Sequence, residues 1–126
     1  MTNIVPLSVA ALIAASIIGI GSFYLFSPQS ISPSFGLKPP ASDPDTRAWL
    51  RLKGIRDFAS GLVVLTLMFA AGPRPAGLAL LAFAVVPLGD MSIILASGGS
   101  RSKAFSVHGA TCAVMLVLGL FLTQIL

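Results

Sequence analysis

Apolar residues fall into four long runs along the chain, separated by short stretches rich in proline, glycine and charge. From Ile4 to Phe26 no side chain ionises, and a run of that length reaches across a bilayer core of about 30 Å. Ser27 to Ser42 contains Pro28, Pro33, Gly36, Pro39 and Pro40, which interrupt any helix and predict a loop. Asp43 followed by Pro44 predicts an N-cap with proline at the first helical position, opening a second helix over about 45–71. Its first turns carry Arg47, Arg51, Lys53, Arg56 and Asp57, with Trp49 among them as an interfacial anchor, and only Phe58 to Ala71 is free of charge. Gly72-Pro73-Arg74-Pro75 predicts a tight turn. A third span follows over about 76–97, with Pro87 as a kink and Asp90 inside it, and Ser97-Gly98-Gly99-Ser100 ends it. The fourth covers about 103–125, with His108 in its second turn. The pattern predicts an all-α fold, a four-transmembrane-helix bundle forming a single integral membrane domain over residues 1–126.

Composition narrows the class further. Hydrophobic residues make up 56% of the chain and charged residues 10%, against about 25% charged in soluble domains. Such a chain cannot cover its own surface with polar groups, which excludes a soluble enzyme domain, a disordered tail and a coiled coil. The single cysteine, Cys112, can form no internal disulfide and belongs to no zinc-ligand spacing; it reads as a small packing residue. The net charge of +4 reads first as a topology signal, not as a nucleic-acid footprint. The first and third loops with their adjoining helix ends hold seven basic residues, Lys38, Arg47, Arg51, Lys53, Arg56, Arg101 and Lys103, against Arg74 alone on the other side. That bias predicts cytoplasmic first and third loops, with the N- and C-termini on the same, non-cytoplasmic side. The first run is expected to be a retained span and not a signal peptide. Met1-Thr2-Asn3 carries no basic residue, the apolar stretch exceeds the usual 7–15 or so, and no small-x-small site precedes Ser27. Within it Ala11, Ala15 and Gly19 recur every fourth residue, a stripe on which another helix can lie closely. The expected location is multi-pass: the plasma membrane if the source is bacterial, an endomembrane such as the ER if it is eukaryotic.

Depth arithmetic brings three ionisable groups together. At 1.5 Å per residue, Asp57 and Asp90 each lie about 21 Å from the outer face, and His108 about 8 Å below the inner boundary. In a 30 Å core all three share the cytoplasmic third. An aspartate near the centre of a lone span costs about 2.5–3.5 kcal/mol on insertion scales, so such residues turn inward, pair or face a wet cavity. Lys53, Gly54, Asp57, Ser60 and Gly61 fall on one helix face, while Phe58, Leu62 and Leu65 fall on the other. His108, Thr111, Cys112 and Met115 form a second stripe, and Gly89 and Ser92 stand beside Asp90. The expectation is a polar pocket open toward the cytoplasm or inner leaflet and closed on the outer side, because the polar face of the second helix fades after Gly61. Each residue also has a plainer role. Lys53, Arg56 and Asp57 can form an interfacial ion-pair cluster that sets orientation. Asp90 can be a structural lock to Arg56 or His108, and His108 a satisfied interfacial histidine.

Three motifs carry a resemblance: Lys53-Gly54-Ile55-Arg56-Asp57-Phe58-Ala59-Ser60-Gly61, then Leu88-Gly89-Asp90, then His108-Gly109. In this order and spacing the chain resembles the small four-span membrane proteins catalogued as domain of unknown function 4267. The likeness covers about residues 45–126, with the first span matching only in hydrophobicity. Proteins of that family occur in bacteria and fungi, in some cases within fungal metabolite clusters. The resemblance therefore implies work on lipophilic intermediates.

Two functions stay open at this point. One is a small membrane enzyme doing acid–base chemistry on a lipophilic metabolite, of the isomerase, cyclase or hydrolase type. Asp90 or Asp57 would be the acid or base, His108 the proton-exchange partner, since an imidazole exchanges protons near neutral pH, and Arg56, Lys53 and Ser60 would bind substrate. No dinucleotide fingerprint, P-loop or metal constellation is present, so no cofactor and no metal are expected. The other is a non-catalytic scaffold or a subunit of a larger membrane complex, in which the polar layer joins the helices. Expected partners are the lipid bilayer and a lipophilic small molecule, with a homo-oligomer compatible and nucleic acid not expected. A transporter or channel fits less well, since four short spans lack the repeats and paired broken helices of secondary transporters.

Overall fold

The computed structural model describes residues 3–125; Met1, Thr2 and Leu126 of the expected 1–126 domain lie outside the described residues. Among the described residues all regular structure is helical. Helix α1 (Ile4–Phe26) has 23 residues, about 35 Å at 1.5 Å each, and is apolar on every face. Two short turns follow where the prolines predicted an irregular loop: α2 (Pro28–Ile31) and a 3-10 turn over Ser32–Phe35. Pro28 and Pro33 sit in the first turn of each, where a proline costs nothing because that N–H has no helical partner. Gly36, at φ 116°, then reverses the chain in a conformation only glycine adopts without strain.

Helix α3 (Pro44–Ala70) begins as the Asp43-Pro44 pair predicts, with the Asp43 carboxylate accepting from the Thr46 N–H and hydroxyl. Those two bonds hold the Asp43 carboxyl below the usual carboxylate range. Helices α4 (Pro73–Phe83) and α5 (Val85–Ala96) form one 24-residue rod broken at Ala84. Pro87 explains the break: it supplies no N–H to the Phe83 carbonyl and its ring displaces that group. The last rod is α6 (Arg101–Lys103), a π-helical segment over Ala104–Gly109, and α7 (Ala110–Leu122). The 3.6-residue pattern predicts a regular helix here; instead the Ala110 N–H reaches back five residues to the Phe105 carbonyl.

Three of these rods, Ile4–Phe26, Pro73–Ala96 and Arg101–Leu122, are long and apolar enough to cross a membrane. The architecture is that of a multi-pass membrane protein, but the expectation of four crossings is met on this measure for three helices. Helix α3 has 27 residues and the length to cross, yet Asp45, Arg47, Arg51, Lys53, Arg56 and Asp57 crowd its first half.

Packing sorts the helices into two antiparallel pairs. Helix α1 lies along α3, and α4 along α7. In the first pair a Cβ on Gly54 would stand 2.7 Å from the Gly21 carbonyl oxygen, and one on Gly61 2.5 Å from that of Ala14. The contact stripe on α1 is therefore Ala10, Ala14 and Gly21, all buried. It is not the predicted Ala11, Ala15 and Gly19: Ala15 is exposed, and nothing lies within 4 Å of a Cβ on Gly19. A strict four-residue spacing drifts around a 3.6-residue helix, whereas steps of four and seven stay on one face. Leu80, Ala84, Cys112, Met115 and Leu122 join Ala10, Ala14 and Val64 in the core. Outside it, Phe26, Phe69, Val5 and Ile4 are more than half exposed, as side chains solvated by lipid would be.

Candidate functional site: a charged cavity between the helix pairs

Between the two pairs lies a cavity of about 870 Å³. All six residues singled out from sequence line it: Lys53, Arg56, Asp57, Ser60, Asp90 and His108. They arrive from three different rods, and two of them lie at or beside local irregularities of the fold. Asp90 follows the Pro87 break by one turn, and His108 sits in the π-helical segment. Single π turns inside helices recur at functional sites.

Asp57 lies between Gly54 and Gly61 on the buried face of α3, with only 8% of its surface exposed. Its carboxylate is paired at 2.5 Å with the ammonium of Lys53, one turn earlier. That ammonium also stands 4.5 Å from the ring centre of Tyr24 and 4.9 Å from that of Phe35, within range of cation–π attraction. Ser60 turns its hydroxyl back to the Asp57 carbonyl. Arg56 is exposed at the cavity rim and has no carboxylate within ion-pairing distance among the described residues.

The second cluster joins the loop to the last rod. His108 Nε2 lies 2.9 Å from the backbone carbonyl of Phe35, and its ring meets the Phe35 ring edge-on at 4.5 Å. A carbonyl oxygen can only accept, so Nε2 carries the proton and donates it. Nδ1 is then the nitrogen free to gain or lose a proton, and it faces Asp90 Oδ2 at 3.6 Å. Of the two partners open to Asp90, His108 is the one that stands within 4 Å of its carboxylate. The loop that supplies Phe35 is fastened twice more, by Lys103 Nζ donating to the Pro33 carbonyl and the Ser100 N–H donating to Gly36.

Two participants escaped sequence reasoning. Tyr24, the only tyrosine, is 2% exposed and lines the cavity against Lys53. Its place near the C-terminal end of the first helix could have pointed to it. Phe35 could not have been found, because its role rests on a backbone carbonyl in a loop. Thr111 lines the cavity but bonds its hydroxyl to Val107, while Cys112 packs in the core. The cavity extends beyond Gly61, where the polar face of α3 fades. It continues to Val64 on α3 and to Val9 on α1, with largely apolar walls. The fading polarity marks a change of lining, not an end. Among the described residues no three His, Cys, Asp or Glu side chains gather as a metal site would require.

The profile of one family, described as a domain of unknown function (DUF4267), matches residues 14–122. No curated protein and no solved structure matches the chain. The family match begins at Ala14, inside α1, so it takes in the second half of the first helix as well as the stretch that carries the three motifs. With the match spanning most of its length, the chain belongs to the DUF4267 family.

Proposed function

We infer that this chain is a single-domain membrane protein of four crossings that performs acid–base chemistry on a lipophilic metabolite held between its helix pairs. The fourth crossing is α3. Its antiparallel contact with α1 carries it through the same slab, and pairing with Lys53 offsets the cost of Asp57 there. The bias of Lys and Arg places the Ser27–Ser42 and Ser97–Ser100 loops on the cytoplasmic side and the termini opposite.

The observation that carries the chemistry is the Phe35–His108–Asp90 chain of contacts. Because Nε2 is committed to the Phe35 carbonyl, one mobile proton is left to Nδ1 and the Asp90 carboxylate. Asp90 makes no other side-chain bond among the described residues and lines the cavity. It is therefore the base, in preference to Asp57, whose carboxylate is already engaged by Lys53. Asp90 takes a proton from the bound molecule, while Arg56, which has no carboxylate partner among the described residues, stabilises the negative charge that develops on it. The proton returns at another position from Asp90 or from His108 Nδ1, which isomerises or cyclises the substrate without any change of oxidation state.

Solvent deuterium tests this without knowledge of the substrate. Purified protein incubated in D₂O with a lipophilic extract of its source cells is expected to label or consume at least one compound by mass spectrometry. Asp90→Asn and His108→Ala, inserted normally in the membrane, are expected to lose that reaction by about 100-fold or more. Equal labelling by wild type and both variants overturns the reading.

A further inference from the structure

The charged cluster lies between two hollows, and the residues that line both mark a waist where the two adjoin. A second hollow of about 360 Å³ lies on the loop side, lined by Ser32, Leu37, Lys38 and Pro40. Tyr24, Phe35, Lys53 and Asp90 line both hollows. The two differ in character. On the α1 side the larger hollow follows the helix from Tyr24 to Val9, a rise of about 22 Å, and its far walls are Leu12, Ile13, Val64 and Leu80. The smaller one ends at a loop lysine.

Charge bookkeeping across both hollows does not balance. Lys38, Lys53 and Arg56 line them as cations, against the carboxylates of Asp57 and Asp90. Lys53 is spent on Asp57, and Asp90 faces His108. Lys38 and Arg56, on either side of the waist, have no carboxylate within ion-pairing distance among the described residues. The Tyr24 hydroxyl makes no hydrogen bond within the described residues although its ring is buried, so it is a spare donor at the same point.

We propose that the two hollows together form one site for a long-chain lipid with a single acidic headgroup, its tail along α1 and its head at the waist between Arg56 and Lys38. The net positive lining selects the acid, and the long apolar walls select the chain. A carboxylate and a phosphate satisfy the same donors, since both accept charge-assisted hydrogen bonds from Arg and Lys. The proposal rests on the cavity being a lipophile site, as inferred above, but requires no turnover.

The test uses the full chain in phosphatidylcholine nanodiscs, titrated with the fluorescent polyene fatty acid cis-parinaric acid. Bound probe is then displaced with palmitic acid, hexadecyl phosphate or hexadecanol. At least one acid is expected to displace the probe at concentrations about tenfold or more below hexadecanol, the scale set by charge-assisted bonds to the head. The better of the two acids tells a carboxylate from a phosphate head. The double variant Lys38→Gln/Arg56→Gln is expected to weaken both acids by about tenfold or more and to leave hexadecanol unchanged. Asp90→Asn, which removes a lining negative charge, is expected to bind the acids at least as tightly as wild type. An alcohol that competes as well as both acids overturns the proposal on the unmodified protein alone, whatever the variants do. So does a folded double variant with wild-type affinity for the acids. Should acid binding hold while Asp90→Asn and His108→Ala leave deuterium labelling intact, the acid–base reading falls and the headgroup site stands.

Discussion

Asp57 and Asp90 carry the same side chain and line the same cavity, yet their neighbours give them different work. Asp57 has a cation one helical turn away on its own helix, an i, i+4 relation visible in the sequence. Asp90 has its partner on another rod, and that partner is oriented by a loop carbonyl. The first arrangement is a closed pair and the second an open one, which is why the proton chemistry is assigned to Asp90. The pairing of Asp57 makes a stability prediction. Lys53→Met leaves a buried carboxylate without its partner and is expected to lower stability by about 1–3 kcal/mol, read by thermal unfolding in mild detergent. Adding Asp57→Asn is expected to restore much of that loss, because the stranded charge is then gone. A double variant as unstable as the sum of the single ones would show that the two side chains are not coupled.

At the scale of elements, close approach is decided by a few positions without side chains. Gly61 faces the backbone of Ala14, while Gly19, on the neighbouring helix, faces open space. Gly61→Ala drives a methyl group into the Ala14 carbonyl and is expected to cost about 1–3 kcal/mol, as overpacking does. Gly19→Ala meets nothing and is expected to be neutral or stabilising by up to about 1 kcal/mol, through helix propensity alone. Thermal unfolding of the two variants side by side checks both, and equal destabilisation would contradict the observed pairing of α1 with α3. The same scale shows where periodicity misleads. The Pro87 break was legible because proline removes a donor at a known place. The π-helical segment under His108 was not, since no residue between Ala104 and Gly109 forbids an ordinary α-helix. The 28–35 turns were hidden by prolines that sit where helices tolerate them.

Across the whole molecule, two antiparallel pairs leave a space between them, and residues of the 28–35 turns line it at one end. The orientation proposed for this assembly predicts a labelling pattern. In a Cys112→Ala background, a cysteine replacing Arg74 is expected to react with an impermeant maleimide on intact cells. One replacing Ser102 is expected to react only after the membrane is opened. The reverse pattern would overturn the proposed orientation, and labelling of both from outside would remove the Pro73–Ala96 rod as a crossing.

Read along the chain, the spacing of apolar runs, the Asp43-Pro44 cap and the i, i+4 pair of Lys53 with Asp57 are local facts. Each depends on residues within a turn or two, so composition and order settle them. Even the gathering of Asp57, Asp90 and His108 in one cavity was legible, because a helix converts residue count into depth at a constant 1.5 Å. Which faces meet is a different kind of fact. Depth is one coordinate, and the other two depend on how neighbouring helices rotate and lean. Those were set by the backbone contacts at Gly21, Gly54 and Gly61, by the π turn, and by a loop carbonyl that reaches His108 from 73 residues away. Only the folded chain could bring the Phe35 carbonyl to that imidazole, because no rule of local sequence relates a loop's main-chain oxygen to a side chain on the last helix.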